Sequence, residues 1–224
     1  MNILIIEDHP LNVDSYIALL SGIEINKNAV YHIAYDCKQA YQLIHQLKNN
    51  QANLDLAFID VSLPAYEEMN LRSGDELGSL IQQIFPNCKI IIISMHSEPV
   101  WVNRIVKTLK PQGFISKSDI NYRSFPEIME TINNHEPYYS KSIVEAQKEF
   151  LIKNINWDEH DSKILQLIAE GIKTKNLPNY IPLSLSAIEK RKANMKKQLL
   201  FEGGTDAELI ESTKKMGLFD TARI

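Results

Sequence analysis

Cysteine is scarce in this chain. Cys37 and Cys88 are the only two, and they form neither a metal-ligand nor a Cys-x-x-Cys spacing. Two buried free thiols in a reducing cytoplasm are therefore expected. A Gly-rich phosphate loop is missing, which speaks against nucleotide binding. No apolar run approaches the length of a bilayer span. The first apolar segment, Asn2 to Ile6, is too short for a signal peptide and lacks a basic flank. A cytoplasmic protein with no membrane contact is expected. A basic excess is missing too: 24 Lys+Arg stand against 28 Asp+Glu, a net charge of −4. That excludes a wholly basic nucleic-acid binder. The charge is uneven, however. Residues 1–153 carry 13 basic against 18 acidic groups, a net of −5, and residues 154–224 carry 11 against 10, a net of +1. Such asymmetry suggests two domains with different partners.

What is present is otherwise ordinary for a globular protein, with 44% hydrophobic and 23% charged residues. The chain organises around one stretch. Leu54, Leu56, Ala57, Phe58 and Ile59 form a nearly continuous apolar run, as a strand buried on both faces of a parallel sheet does. The run stops at Asp60, and Pro64 ends the strand. Similar strands are expected at Ile3–Ile6, Val30–Tyr35, Cys88–Ser94 and Gln112–Ser116. Helical spacing lies between them: after His9-Pro10, from Asp36 to about Leu47, over 75–85, over 98–109, and from Ser118 or Asp119 to Ile132. Residues 65–73 read as a polar loop longer than a strand-to-helix turn requires. Alternating strands and helices make this an α/β fold, a five-stranded doubly wound parallel sheet of flavodoxin-like type.

Four of the five strands end in polar groups: Glu7 and Asp8, Asp60, Ser94, and Lys117. In a parallel sheet these ends share one edge, where open α/β sheets bind ligands. Any one of them alone serves equally well as a helix cap. Three carboxylates together repel one another and call for a cation. Hard oxygen donors with open positions suit Mg²⁺. A lysine and a hydroxyl opposite them suit the oxygens of a phosphoryl group, and Asp60 is then a nucleophile toward phosphorus.

Residues 1 to about 130 resemble the receiver domain of two-component response regulators. The resemblance implies that Asp60 is the phosphoacceptor, with Pro64 four residues on. It implies that Ser94 and Lys117 stabilise the phosphoryl group and that Phe114 is the aromatic switch residue. It implies that Asp8, Asp60 and the backbone carbonyl of Ser62 bind Mg²⁺, with Glu7 acting through water. Two features depart from the family pattern: the longer loop after Asp60, and Met95, where a small residue commonly follows the switch hydroxyl. His96 reads as an exposed loop residue.

Residues 133–140 mix polar groups with Pro137, as a linker does, and 141–155 have helical spacing. The expected division is a receiver at 1–134, a linker at 135–154 and a second domain at 155–224. That second domain is all-α, with four helices: one opened by Asp158 and closed at Glu170-Gly171, a short one over Leu177–Ile181 compromised by Pro178, a third from about Leu185 to Leu200, and a fourth capped by Thr205 that carries Met216. On the third, Ile188, Met195 and Leu199 occupy core spacing while Lys190, Arg191, Lys192, Asn194, Lys196 and Lys197 take other faces. A short helix, a turn and a basic helix describe a helix-turn-helix, although a solvated surface helix explains the charge as simply.

Residues 157–216 resemble the LuxR-type output domain, through the run from Ile164 to Gly171, the Leu183-Ser184 turn, Ile188, Met195 and Leu199. Ala187, Pro178, Pro182 and Gln198 depart from that pattern. A receiver followed by such a domain is the NarL/FixJ arrangement. It implies a transcription factor, not an enzyme, that a histidine kinase switches through Asp60 and that binds double-stranded DNA as a homodimer when active. The expected DNA contacts are Lys173, Lys175, Ser184, Ser186, Lys190, Arg191, Lys192, Asn194 and Lys197. Two rivals remain open at this point. One is a constitutive or protein-binding regulator, slightly favoured by Met95. The other is an aspartate-nucleophile phosphatase, although Ser62 stands where such enzymes usually carry a second aspartate.

Overall fold

A computed structural model describes residues 1–155, 157–200, 204–215 and 218. Met216, placed above on the fourth helix, lies outside them. The chain forms two compact units, Met1–Ser97 with Arg104–Ile143, and Glu98–Asn103 with Val144–Ile224.

The first unit carries β1 (Asn2–Ile6), α1 (Pro10–Ser21), β2 (Val30–Ala34), α2 (Cys37–Asn49), β3 (Leu56–Asp60), α3 (Gly74–Ile84), β4 (Lys89–Ser94), part of α4 (Pro99–Leu109), β5 (Gly113–Ser116), α5 (Phe125–Asn133) and β6 (Tyr138–Tyr139). The sheet order is β2-β1-β3-β4-β5-β6, with every pairing parallel. All of β3 is buried, as its unbroken apolar run requires. The register aligns Ile5, Phe58, Ile91 and Gly113 across the sheet. On one face Tyr16 packs against Phe58 at 5.5 Å between ring centroids, and Phe58 meets Phe125 at 6.0 Å. Both cysteines are buried and free. Burial pushes the Cys88 thiol up to about 12 and Cys37 up to about 11, which leaves both unreactive.

The sheet has six strands, one more than expected. His135 turns the chain with φ of 65°, and Tyr138 N then donates to Gln112 O at 2.9 Å. Ser140 N donates to Phe114 O at 2.9 Å. Residues 138–140, within the expected linker, thus occupy the free edge of β5. The start of α5 also moves. Asp119 does not cap it, because its carboxylate accepts from Ser142 N at 2.8 Å and Ser142 Oγ at 3.0 Å. The helix begins at Phe125 instead, ahead of Pro126.

The second unit holds most of α6 (Lys141–Ile155), then α7 (Glu159–Ala169), α8 (Leu185–Leu199) and α9 (Asp206–Lys215). Asp158 caps α7 in a reciprocal box with Asp161. Gly171, at φ of 86°, closes it: Gly171 N donates to Ile168 O and Ile172 N to Leu167 O. Ser184 caps α8 through Ala187 N at 3.2 Å, and Thr205 with Glu208 caps α9. The expected helix over Leu177–Ile181 is a 3₁₀ turn, Thr174–Asn179, displaced toward the N-terminus. Pro178 has no N–H to donate into an α-helix, and the tighter coil accommodates it. Ile164, Leu165, Leu177, Ile188, Met195, Leu199 and Leu209 form the core of this unit.

Candidate phosphorylation site and DNA-facing helix

The carboxyl edge of the sheet assembles the residues that ended the apolar runs. Asp60 is 4% exposed and Glu7 fully buried. Lys117 Nζ lies between them, 2.7 Å from Asp60 Oδ2 and 2.8 Å from Glu7 Oε2. Asp60 Oδ1 accepts from Ser62 N at 3.2 Å. Burial raises the Asp60 carboxyl above its usual range, and the Lys117 contact only partly offsets this. Burial pulls the Lys117 ammonium down, but hydrogen bonds to Asp60 and Glu7 outweigh it and leave it raised. Capping does not account for Asp60: a 3₁₀ turn at Glu67–Met69 has Tyr66 at its N-cap position, and the next α-helix starts only at Gly74. Gly74 is needed there, since a Cβ would stand 1.9 Å from the Asp60 carbonyl oxygen.

Asp8 does not cap α1 either. His9 occupies the N-cap position and makes no side-chain cap bond. His9 Nδ1 instead meets Asp8 Oδ1 at 2.6 Å, which raises the imidazole pKa. Ligand atoms of Glu7, Asp8 and His9 all lie within 4.8 Å of one another. Ser94 is fully buried at the end of β4, and its Oγ accepts from His96 N at 2.8 Å. Phe114 is fully buried in β5, three residues before Lys117. Met95 is 67% exposed. It shares a groove of about 450 Å³ with His9, Asn12, Tyr16 and Lys117.

The sequence did not single out Asn12 or Tyr16. Asn12 Nδ2 donates to Glu7 Oε1 at 2.9 Å. Tyr16 is buried, and its hydroxyl is raised by burial, then by the charges of Glu7 and Asp60. Both sit on α1, one and two turns in, where helical position rather than any motif brings them to the acids.

On α8, Ile188, Met195 and Leu199 are buried as expected. At 100° per residue, the opposite side carries Ser186, Lys190, Ala193 and Lys197, all exposed. Ser184, Asn194, Lys173 and Lys175 are exposed too. Two of the expected DNA contacts, Arg191 and Lys192, make bonds within the chain. Arg191 is turned inward: Nη1 donates to Asp158 Oδ1 at 3.0 Å and Asp161 Oδ2 at 2.9 Å, and Nη2 to Asp158 Oδ2 at 2.8 Å. Lys192 donates to Thr174 Oγ1 at 2.6 Å and Asp206 Oδ2 at 2.7 Å. Both flank the buried stripe, so their charges join α8 to its neighbours. Among the described residues, no helix is long and apolar enough to cross a membrane.

The chain belongs to the response regulators: the response regulator receiver domain matches residues 3–122, more than half of it. The oxygen regulatory protein NreC of Staphylococcus aureus (strain JH9) is similar over its whole length, at 24% identity across 232 residues and 98% of this chain. Among solved structures, RcsB of Salmonella typhimurium matches with a TM-score of 0.56 at 20% identity, covering 96% of this chain and 98% of that one. An RcsB–DNA complex matches with a TM-score of 0.54 at 21% identity and the same coverage. These likenesses extend beyond the receiver and support the fold expected for both parts of the NarL/FixJ arrangement.

Proposed function

We propose that this chain is a DNA-binding response regulator, switched by phosphorylation of Asp60. The observation that carries this is the buried Asp60 carboxylate at the sheet edge, with Lys117 Nζ 2.7 Å away. A histidine kinase is the donor, and the groove beside Lys117 opens the site to it. Asp60 Oδ attacks phosphorus, the bond from phosphorus to the donor breaks, and the donor leaves with the electron pair. Lys117 neutralises the oxygens gathered there, and Ser94 Oγ, turned from His96 N, gives them a donor. The new charge at the edge draws Lys117 and Ser94 together, and Phe114 repacks beneath.

Asp8, Asp60 and the Ser62 carbonyl supply hard oxygens of the kind Mg²⁺ takes, so the donor set fits that ion. When bound, Mg²⁺ offsets the negative charge of the acids and of the incoming phosphoryl group. Asp8 is the acid most open to it, at 28% side-chain exposure.

Lys190 and Lys197 lie at the centre of the DNA-facing side of α8, with Ser186 and Asn194 beside them and Lys173 and Lys175 placed for backbone phosphates. A homodimer sets two such helices on two half-sites. Residues 1–134, with β6 closing the sheet edge, act as the receiver and 155–224 as the output domain.

Intact mass after incubation with Mg²⁺ and acetyl phosphate tests the acceptor, with Asp60→Ala alongside. One phosphoryl group on the wild type and none on the variant is expected. An adduct of equal yield on Asp60→Ala overturns the assignment.

A further inference from the structure

The acid deepest in the pocket is also the most thoroughly occupied by the protein. Glu7 Oε2 holds Lys117 Nζ at 2.8 Å. Its other oxygen, Oε1, accepts from Asn12 Nδ2 at 2.9 Å and from His9 N at 3.3 Å. Glu7 has no exposed surface. A carboxylate is a rigid fork, so fixing one oxygen aims the other. Lysine is the opposite, a point charge on a four-carbon stem whose position depends on what anchors it. On Oε1 the His9 amide is set by the backbone and the His9 ring Nδ1 stands 3.4 Å off, while Asn12 Nδ2, from the first turn of α1, makes the shortest of these contacts at 2.9 Å. The asparagine therefore completes a relay from helix α1 through Glu7 and Lys117 to Asp60 Oδ2.

We propose that Asn12 is a positioning residue for phosphoryl transfer: through Glu7 it fixes the Lys117 ammonium against the acceptor oxygen of Asp60. Glu7 acts as the anchor of the lysine, not as a ligand of the metal, which is left to Asp8, Asp60 and the Ser62 carbonyl. The inference rests on Asp60 being the phosphoacceptor. It separates two properties that an acidic pocket otherwise joins. Loosening the relay weakens the neutralisation of phosphoryl oxygens and slows transfer. It leaves the affinity for the ion alone.

The test compares wild type with Asn12→Ala and with Asn12→Leu, which keeps the shape, adds no charge and loses the donor. Each protein is checked for folding by circular dichroism. Phosphorylation by acetyl phosphate is followed by intact mass over a range of donor concentrations. Ion affinity is measured separately, by the electron paramagnetic resonance signal of free Mn²⁺ and its competition with Mg²⁺. Both variants are expected to phosphorylate about tenfold more slowly at saturating donor, the scale of one charge-assisted hydrogen bond. Their Mn²⁺ and Mg²⁺ affinities are expected to stay within about twofold of wild type. Asn12→Gln, which keeps a donor on a longer arm, recovers part of the rate. Rates unchanged in both variants overturn the proposal, as does ion affinity falling in step with rate, since Glu7 then serves the metal. Should Asn12→Ala fail to fold, the isosteric variant decides. If the wild type itself gains no phosphoryl group and binds no fluoroberyllate, the acceptor assignment fails, and that outcome is distinct from a wild type that reacts while the variants match it.

Discussion

Lys117 is the residue on which the pocket most depends. It stands between two carboxylates that are 0% and 4% exposed on their side chains, and its own side chain is only 12% exposed. Removing one member of a buried ionic group leaves the rest uncompensated, at a cost of about 3–5 kcal/mol. Lys117→Met is therefore expected to lower the unfolding free energy by that measure, read as a lower urea midpoint, and Glu7→Gln in the same chain to recover part of the loss. An unchanged midpoint contradicts this account of the site. The polar ends of the strands were legible because each interrupts an apolar run that has no other reason to stop. Asn12 and Tyr16 were not, since a helix brings them to Glu7 and no repeat in the sequence marks that approach. Arg191 and Lys192 show the converse limit. Charge was readable, but adjacent helical residues point about 100° apart, so a run of basic residues is divided between solvent and neighbouring acids by the fold alone.

Among the elements, α8 and β6 carry the clearest consequences. Lys190 lies on the exposed side of α8, and Arg191 fastens that helix to the N-terminal cap of α7. Lys190→Ala is expected to weaken DNA binding and reduce its salt slope by about 1, with thermal stability unchanged. Arg191→Ala is expected to lower stability by about 1 kcal/mol, discounted for a clamp whose side chains are 31% and 39% exposed at Arg191 and Asp158. Burial opposes the charge on Asp158, but the Arg191 and helix amide hydrogen bonds overcome it and hold the carboxyl below its usual range. A depressed carboxyl stabilises the fold above its unfolded value, near 3.9, and that stability is lost as pH falls through the folded value. The gap in melting temperature between wild type and Arg191→Ala should thus persist at neutral pH and close below about pH 4. A gap that widens in acid contradicts the clamp. At the other element, β6 is held by Asp119 through Ser142 and by Ser140 Oγ, which accepts from Ser116 N at 3.0 Å. Asp119→Ala should speed amide exchange at Ser140 and Ser142, and unchanged protection would deny the strap. The sixth strand escaped the sequence because two residues beside a proline carry too little periodicity to be told from a linker.

At the scale of the whole molecule, the chain divides into a receiver, whose sheet edge brings Glu7 and Asp60 to Lys117, and a helical unit on which Lys173, Lys175, Lys190 and Lys197 are exposed. The two ends were legible for different reasons. Buried parallel strands and helix caps write strong local patterns, so five strands and the caps at Asp158 and Thr205 were readable. The short helix over Leu177–Ile181 was misplaced because a proline can end an α-helix or simply tighten it, and only packing decides. Charge arriving at Asp60 is expected to govern the hold on DNA. The most direct measurement is retention of a random-sequence duplex library by the full chain, with and without acetyl phosphate and Mg²⁺, read against the phosphorylated fraction from intact mass, with Asp60→Ala beside it. Retention that changes in proportion to phosphorylation in the wild type and not in Asp60→Ala is the predicted result. A fully phosphorylated wild type that retains DNA no differently from the variant would contradict the switch and favour constitutive regulation.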